Sequence, residues 1–193
     1  MTVRRKPENP AHLSVLLTGF EPFREFQINS SWEAVSRAAA ELGDCVHAVR
    51  LPVDYSLAQE CLYEVLQERR PEICLLTGLA AGTELRMEQC ARKPSQLDSV
   101  EGPERLDGAW SWEESGVVLD PLGLPVRLSD DAGAYVCEST YWALLAFRAL
   151  HGWPAAAAFL HVPPLSDDVS AELLADGVAR LVRAQLGSDR GLV

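Results

Sequence analysis

Apolar residues along this chain follow two rhythms. Four short runs are nearly continuous: LSVLLTGF at 13–20, CVHAVRLPV at 45–53, EICLLTG at 72–78 and AAAAFLHVPPL at 155–165. A continuous run bounded by Gly or Pro suits a strand buried on both faces. The stretches between them repeat at helical spacing: SSWEAVSRAAAEL at 30–42, SLAQECLYEVLQERR at 56–70, VCESTYWALLAFRALHG at 136–152 and DDVSAELLADGVARLVRAQLG at 167–187. In the first, Trp32, Val35, Ala39 and Leu42 share a face, and Ser30 with Glu33 reads as a capping box. In the second, Leu57, Cys61, Val65 and Leu66 are expected inward. Gly152 and Gly187 close the third and fourth, and Asp167 with Asp168 suits the start of the fourth.

The middle of the chain is less regular. TELRMEQCARK at 83–93 reads as one strand, and LPVRLSD at 124–130 as another. Residues 94–123, rich in Gly, Pro, Asp and Glu, read as a loop-rich insert with room for an edge hairpin. Polar residues 1–12 predict a disordered tail, 13–187 a single domain, and 188–193 a short C-terminal tail. Strands that alternate with helices predict an α/β sandwich around a mostly parallel sheet.

Charge narrows the function. The 193 residues carry a net charge of −11, which disfavours nucleic acid and anionic membranes. Arg4, Arg5 and Lys6 form the one basic cluster, with no long apolar segment behind it. No run approaches the ~18 apolar residues of a membrane span, so a cytoplasmic protein is expected. Five cysteines (Cys45, Cys61, Cys74, Cys90 and Cys137) form no CxxC pair, which argues against a zinc site or a disulfide framework. Most should be small core hydrophobes.

Ligands of open α/β sheets gather at the carboxyl ends of strands. Here those ends are Gly19-Phe20, Val53-Asp54, Gly78-Leu79 and His161-Val162, and Cys137 opens a helix in the same layer. A cysteine at a helix start beside a histidine is the composition of a thiolate–imidazolium pair. His12, His47 and His151 fall in the tail, within a strand and at a helix end, leaving His161 as the base candidate. Glu84, Glu88, Asp130 and Asp131 are all spaced to orient its ring. On the residues alone the bland reading leads, with His161 and Cys137 both in the core and Glu138 raising the thiol pKa. The turn GLAAG at 78–82 matches neither GxxxxGK[ST] nor GxGxxG.

Longer motifs shift that balance. LLTGFEPF followed by NSSWEA resembles the opening of type I pyroglutamyl peptidases, roughly TGFxPF then NPSW. LPVDY at 51–55 is similar to their LPVxY. GAYVCE is similar to their GTFVCN, which carries the nucleophile, and FLHVPPL to their F-[IL]-H-[VL]-P, which carries the histidine. The resemblance covers residues 13–186 and implies a three-layer α/β/α sandwich with a mixed, mostly parallel central sheet. It implies a cysteine peptidase that removes N-terminal pyroglutamyl residues from small blocked peptides through a thioacyl intermediate. Cys137 would be the nucleophile and His161 the base. Glu88 would orient the imidazole, since GLAAGTELRMEQCARK aligns with GQAGGRxxIxxERVAxN after one deletion near Thr83. Phe20, Phe23, Tyr135 and Val136 match the acyl pocket, and Leu79 stands at a binding position. No metal or cofactor is implied. The family often forms tetramers, so the resemblance also brings in a homo-oligomer.

The departures are specific. Leu79 replaces a glutamine of the oxyanion region, and the arginine after the glycines is missing. DARIPDN, which carries another arginine, has no counterpart in SQLDSVEGPERLD. Arg92 and Arg105 are the arginines the sequence offers as replacements. Glu138 stands where Asn follows the nucleophile. The chain between Glu88 and Cys137 is short where the family has a helix, with SGVVLDPLGLPV in its place. These losses support an alternative, a catalytically impaired paralogue that keeps the fold to bind a small ligand or peptide.

Overall fold

Strand β1 (Val15–Phe20) is buried along its whole length, and its side chains alternate between two cores. Val15 and Leu17 enter one, Leu16 and Phe20 the other. β3 (Ile73–Leu79) and β8 (Ala156–Val162) divide in the same way: Leu75 and Leu160 face the first core, Leu76 and Phe159 the second. A sheet with apolar layers on both sides needs such runs. The computed structural model describes residues 14–95, 102–133 and 135–188.

Helices α1 (Ser30–Leu42) and α5 (Ala171–Ser188) pack together over the first face, with α3 (Trp112–Leu119) against α5. α2 (Tyr55–Arg69) and α4 (Val136–His151) cover the second. With β2 (Val46–Leu51), β4 (Leu85–Glu88) and β7 (Val126–Ser129), the six-stranded sheet runs β2-β1-β3-β8-β4-β7. The first four strands are mutually parallel; β4 is antiparallel to β8 and parallel to β7. The architecture is therefore an α/β fold with a mixed, mostly parallel sheet flanked by helices.

Several local expectations need correction. The helix at 30–42 is capped by Asn29 rather than Ser30: the Asn29 side chain accepts from Ser31 N–H. Its buried stripe is Ala34, Val35 and Ala38, and Trp32, Ala39 and Leu42 lie at the edge of the core. On α2, Ala58, Leu62 and Leu66 are buried while Leu57 is 55% exposed, because the inward stripe lies one position later than the sequence suggested. Asp167 and Asp168 precede α5, whose first turn is met by Ser170 Oγ, an acceptor for Leu173 N–H. The strand expected at 83–93 is two: β4 joins the main sheet, and β5 (Cys90–Arg92) pairs antiparallel with β6 (Arg105–Asp107). Residues 94–123 are more than loop. They supply β6, then α3, whose Trp112, Ser115 and Leu119 are buried, then a tight 3-10 turn at Asp120–Leu122. The tail expected at 1–12 lies outside the described residues, as does the tail expected at 188–193 except for Ser188, which ends α5.

Candidate functional site

α4 starts where the chain leaves β7. Gly133 turns it at φ 87°, and Tyr135 enters the helix in extended conformation without a side-chain cap. Cys137 is the second helical residue, at a helix start that the Tyr135 side chain does not cap. β3 makes room for its thiol. A Cβ on Gly78 would stand 2.8 Å from Cys137 Sγ and 2.9 Å from the Phe159 ring. Gly78 is in register with His161 on β8, and His161 with Arg86 on β4. Strand alternation turns Gly78, His161, Arg86 and Glu88 to the face under α4.

His161 Nδ1 lies 2.7 Å from Glu88 Oε1, with both side chains buried. A carboxylate only accepts, so the neutral ring carries its proton on Nδ1, leaving Nε2 free to accept one. Tyr141 holds this end of β4 by donating its hydroxyl to the Glu88 carbonyl (3.1 Å). Arg86 Nε is 3.8 Å from Glu88 Oε1 and has no hydrogen-bond acceptor; Glu88 Oε2 also lacks a partner.

Burial sets the resting protonation. It pushes the Cys137 thiol up to about 12, outweighing its own backbone N–H. Glu88 and Glu138 add to the rise, and Arg86 opposes it. Burial also lowers the His161 pKa, against the opposing hydrogen bond and charge of Glu88. Burial thus favours a neutral thiol beside a neutral imidazole, whereas a helix start beside a histidine favours the ion pair. Glu138 turns away from the thiol: its carboxylate accepts the Arg92 backbone N–H and ties β5 to α4.

These groups open onto a cleft of about 510 Å³ that contains Cys137 and His161. Phe20, Phe23, Leu79, Tyr135 and Val136 all line it, whereas Glu88 lies behind the imidazole. The other orienting candidates point elsewhere. Glu84 pairs with Arg127 at 3.0 Å, Asp130 with Arg92 at 3.6 Å, and Asp131 accepts from Gly133 N–H. Neither Arg92 nor Arg105 reaches this cleft; Arg105 pairs with Asp107. The sequence reading missed Arg86, which does line it, along with Arg24 and Asn29. The signal was the two-residue period of β4, which sends residues 86 and 88 to one side.

A thiol, an imidazole and a carboxylate at the carboxyl end of a parallel sheet form the kind of arrangement that performs nucleophilic acyl transfer. A profile of the pyroglutamyl peptidase family (peptidase family C15) matches residues 13–94 and 117–180, and the chain belongs to that family. It is 30% identical over 192 residues to human pyroglutamyl-peptidase 1, covering 90% of each chain. It is 32% identical over 174 residues to the pyrrolidone-carboxylate peptidase of Pseudomonas fluorescens, covering 81% of each. The solved pyrrolidone carboxyl peptidase of Thermococcus litoralis superposes with a TM-score of 0.81 at 23% identity, covering 92% of this chain and 95% of that one.

Proposed function

We propose that this protein is a cysteine peptidase that removes N-terminal pyroglutamyl residues from short peptides in the cytoplasm. The observation that carries this reading is the 2.7 Å His161–Glu88 contact on the sheet face where Gly78 admits the Cys137 thiol. Membership of the pyroglutamyl peptidase family supplies the substrate class. Among the described residues, no helix is long and apolar enough to cross a membrane.

The neutral resting pair shapes the mechanism. Substrate enters with its lactam against Phe20, Phe23 and Val136. Cys137 Sγ attacks the scissile carbonyl carbon while His161 Nε2 takes the thiol proton, so thiolate forms as it reacts. Glu88 holds Nδ1–H and stabilises the imidazolium. The carbonyl oxygen becomes an oxyanion, and the uncapped N–H groups at the start of α4 are its nearest fixed dipoles. As the tetrahedral intermediate collapses, the C–N bond breaks and His161 returns the proton to the leaving amine. Water, deprotonated by His161, then cleaves the thioester to release pyroglutamate and regenerate the thiol. Losing one oxyanion donor, as at Leu79, costs about 2.7–4 kcal/mol of transition-state stabilisation in other hydrolases. A slower enzyme is therefore expected rather than an inert one.

Purified protein is tested on a pyroglutamyl arylamide beside Cys137→Ala. Turnover in the wild type that iodoacetamide and the substitution both abolish is the expected result. Turnover no greater than that of Cys137→Ala removes the peptidase reading and leaves a binding module.

A further inference from the structure

The order of the strands is also an order along the cleft. Cys137 Sγ sits against Gly78 of β3, the middle of the site. On one side, above β1 and β2, Phe20, Phe23, Phe26 and Val53 form an apolar wall, with Arg24, Glu25 and Asn29 among them. On the other, above β8 and β4, come His161 and then Arg86. If the proposed reaction runs here, the two sides have different tasks. The acyl group fills the apolar side. The leaving amine departs where His161 can protonate it, and Arg86 is the next side chain beyond.

Arg86 is built unlike a structural arginine. Its side chain is 24% exposed and lines the cleft, yet its buried Nε has no acceptor. Its nearest carboxylate oxygen, Glu88 Oε1 at 3.8 Å, is already engaged by His161 at 2.7 Å. The other charged side chains lining the cleft, Arg24 and Glu25, lie after β1 on the acyl side, where Arg24 stacks over the Phe23 and Tyr135 rings. A guanidinium has five donors and no acceptor, and it matches a carboxylate in two parallel hydrogen bonds.

We infer that Arg86 selects a carboxylate on the first residue of the leaving group. The preferred substrates then carry a negative charge immediately after the pyroglutamyl residue. That charge is either the terminal carboxylate of a pyroglutamyl dipeptide or an acidic side chain at that position. The inference rests on the peptidase reading and deepens it.

Three substrates separate the outcomes: pyroglutamyl-alanine, pyroglutamyl-alaninamide and pyroglutamyl-aspartyl-amide. The wild type is expected to show kcat/KM roughly tenfold higher on a carboxylate substrate than on the neutral amide, the size of one charge-assisted hydrogen bond. A preference for the first substrate alone identifies the terminal carboxylate, and for the third alone the side chain. Arg86→Gln should bring that ratio close to one, chiefly through KM, and Arg86→Lys should keep part of it. Equal rates on all three substrates in the wild type overturn the inference and leave the peptidase intact. So does a ratio unchanged in Arg86→Gln, or an equal loss on charged and neutral substrates, which would make Arg86 a positioning residue for Glu88. No cleavage of any substrate above Cys137→Ala removes the peptidase reading and this one with it.

Discussion

Helices α1 and α4 both begin at the carboxyl end of the sheet, on opposite faces, and their starts differ in one respect. At α1 side chains cap the start, although the buried Ser30 hydroxyl has no partner. Asn29 accepts from Ser31 N–H and Oγ, and its amide donates to the Glu21 carbonyl. Phe20 N–H donates to Ser31 Oγ. At α4 no side chain caps the helix, and the residues there are Tyr135, Val136 and Cys137 of the cleft wall. Glycine serves each start differently. A Cβ at Gly19 would lie 2.6 Å from the backbone of Trp32, so it would strike the helix itself. A Cβ at Gly78 would strike a thiol and a ring. A capped helix start holds the fold together; on the proposed function, the uncapped one leaves its dipole and donors for a substrate.

The largest expected effect lies on the open side. Glu88→Gln should lower kcat/KM about a thousandfold, because an amide can donate to Nδ1 and favour the wrong tautomer. The pH profile carries the sign. Glu88 raises both the His161 and the Cys137 pKa, so its loss lowers both. The acid limb of kcat/KM and the alkaline rise of Cys137 alkylation should each move to lower pH. A rate loss with unmoved limbs would separate Glu88 from the pair.

Glycine substitutions test the comparison directly. Gly19→Ala should cost about 3 kcal/mol in urea unfolding, since backbone must shift, while the folded fraction turns over normally. Gly78→Ala should cost less stability but about a hundredfold in kcat/KM, since the displaced atom is the proposed nucleophile. Reversed outcomes would mean that the two starts do not divide stability from chemistry. The smallest effect belongs to Asn29→Ala, about 1 kcal/mol by the same unfolding measurement. A loss well above that would mean that the Asn29–Glu21 bond holds the whole loop.

What could be read from the sequence followed its strongest periodicities. The four apolar runs became the parallel strands; in β1, β3 and β8 burial on both faces leaves little choice of residue, whereas β2, expected to be buried like them, is an edge strand buried only at Val46 and Leu51. Helix α3 was hidden because Glu113, Glu114, Gly116 and a following Pro121 look like loop; Trp112, Ser115 and Leu119 form a helical stripe only once α5 is there to cover it. Asn29 and Ser30 are both good caps, and only the backbone chose between them. The concern over Glu138 turned on direction, which composition cannot give: its carboxylate serves the Arg92 amide, and its charge is the last of several influences on the thiol. Arg86 went unseen because its partner strand, β8, lies far along the chain.

The five residues from Ala80 to Glu84 connect β3 to β4 across the end of β8, where Ala80 N–H donates to the Val162 carbonyl. Beyond Ala80 and Ala81, which line the cleft, that link is a place where residues can be added or removed at little risk to the site. Within Leu85–Glu88 the same change is disruptive. One residue inserted between Leu85 and Arg86 reverses the pleat beyond it and sends Arg86 and Glu88 into the core beneath α1 and α5. Met87 would then stand under the imidazole. The residue missing near Thr83, relative to the family motif, falls in the connection. The chain could lose it and keep both polar side chains on the face of the thiol.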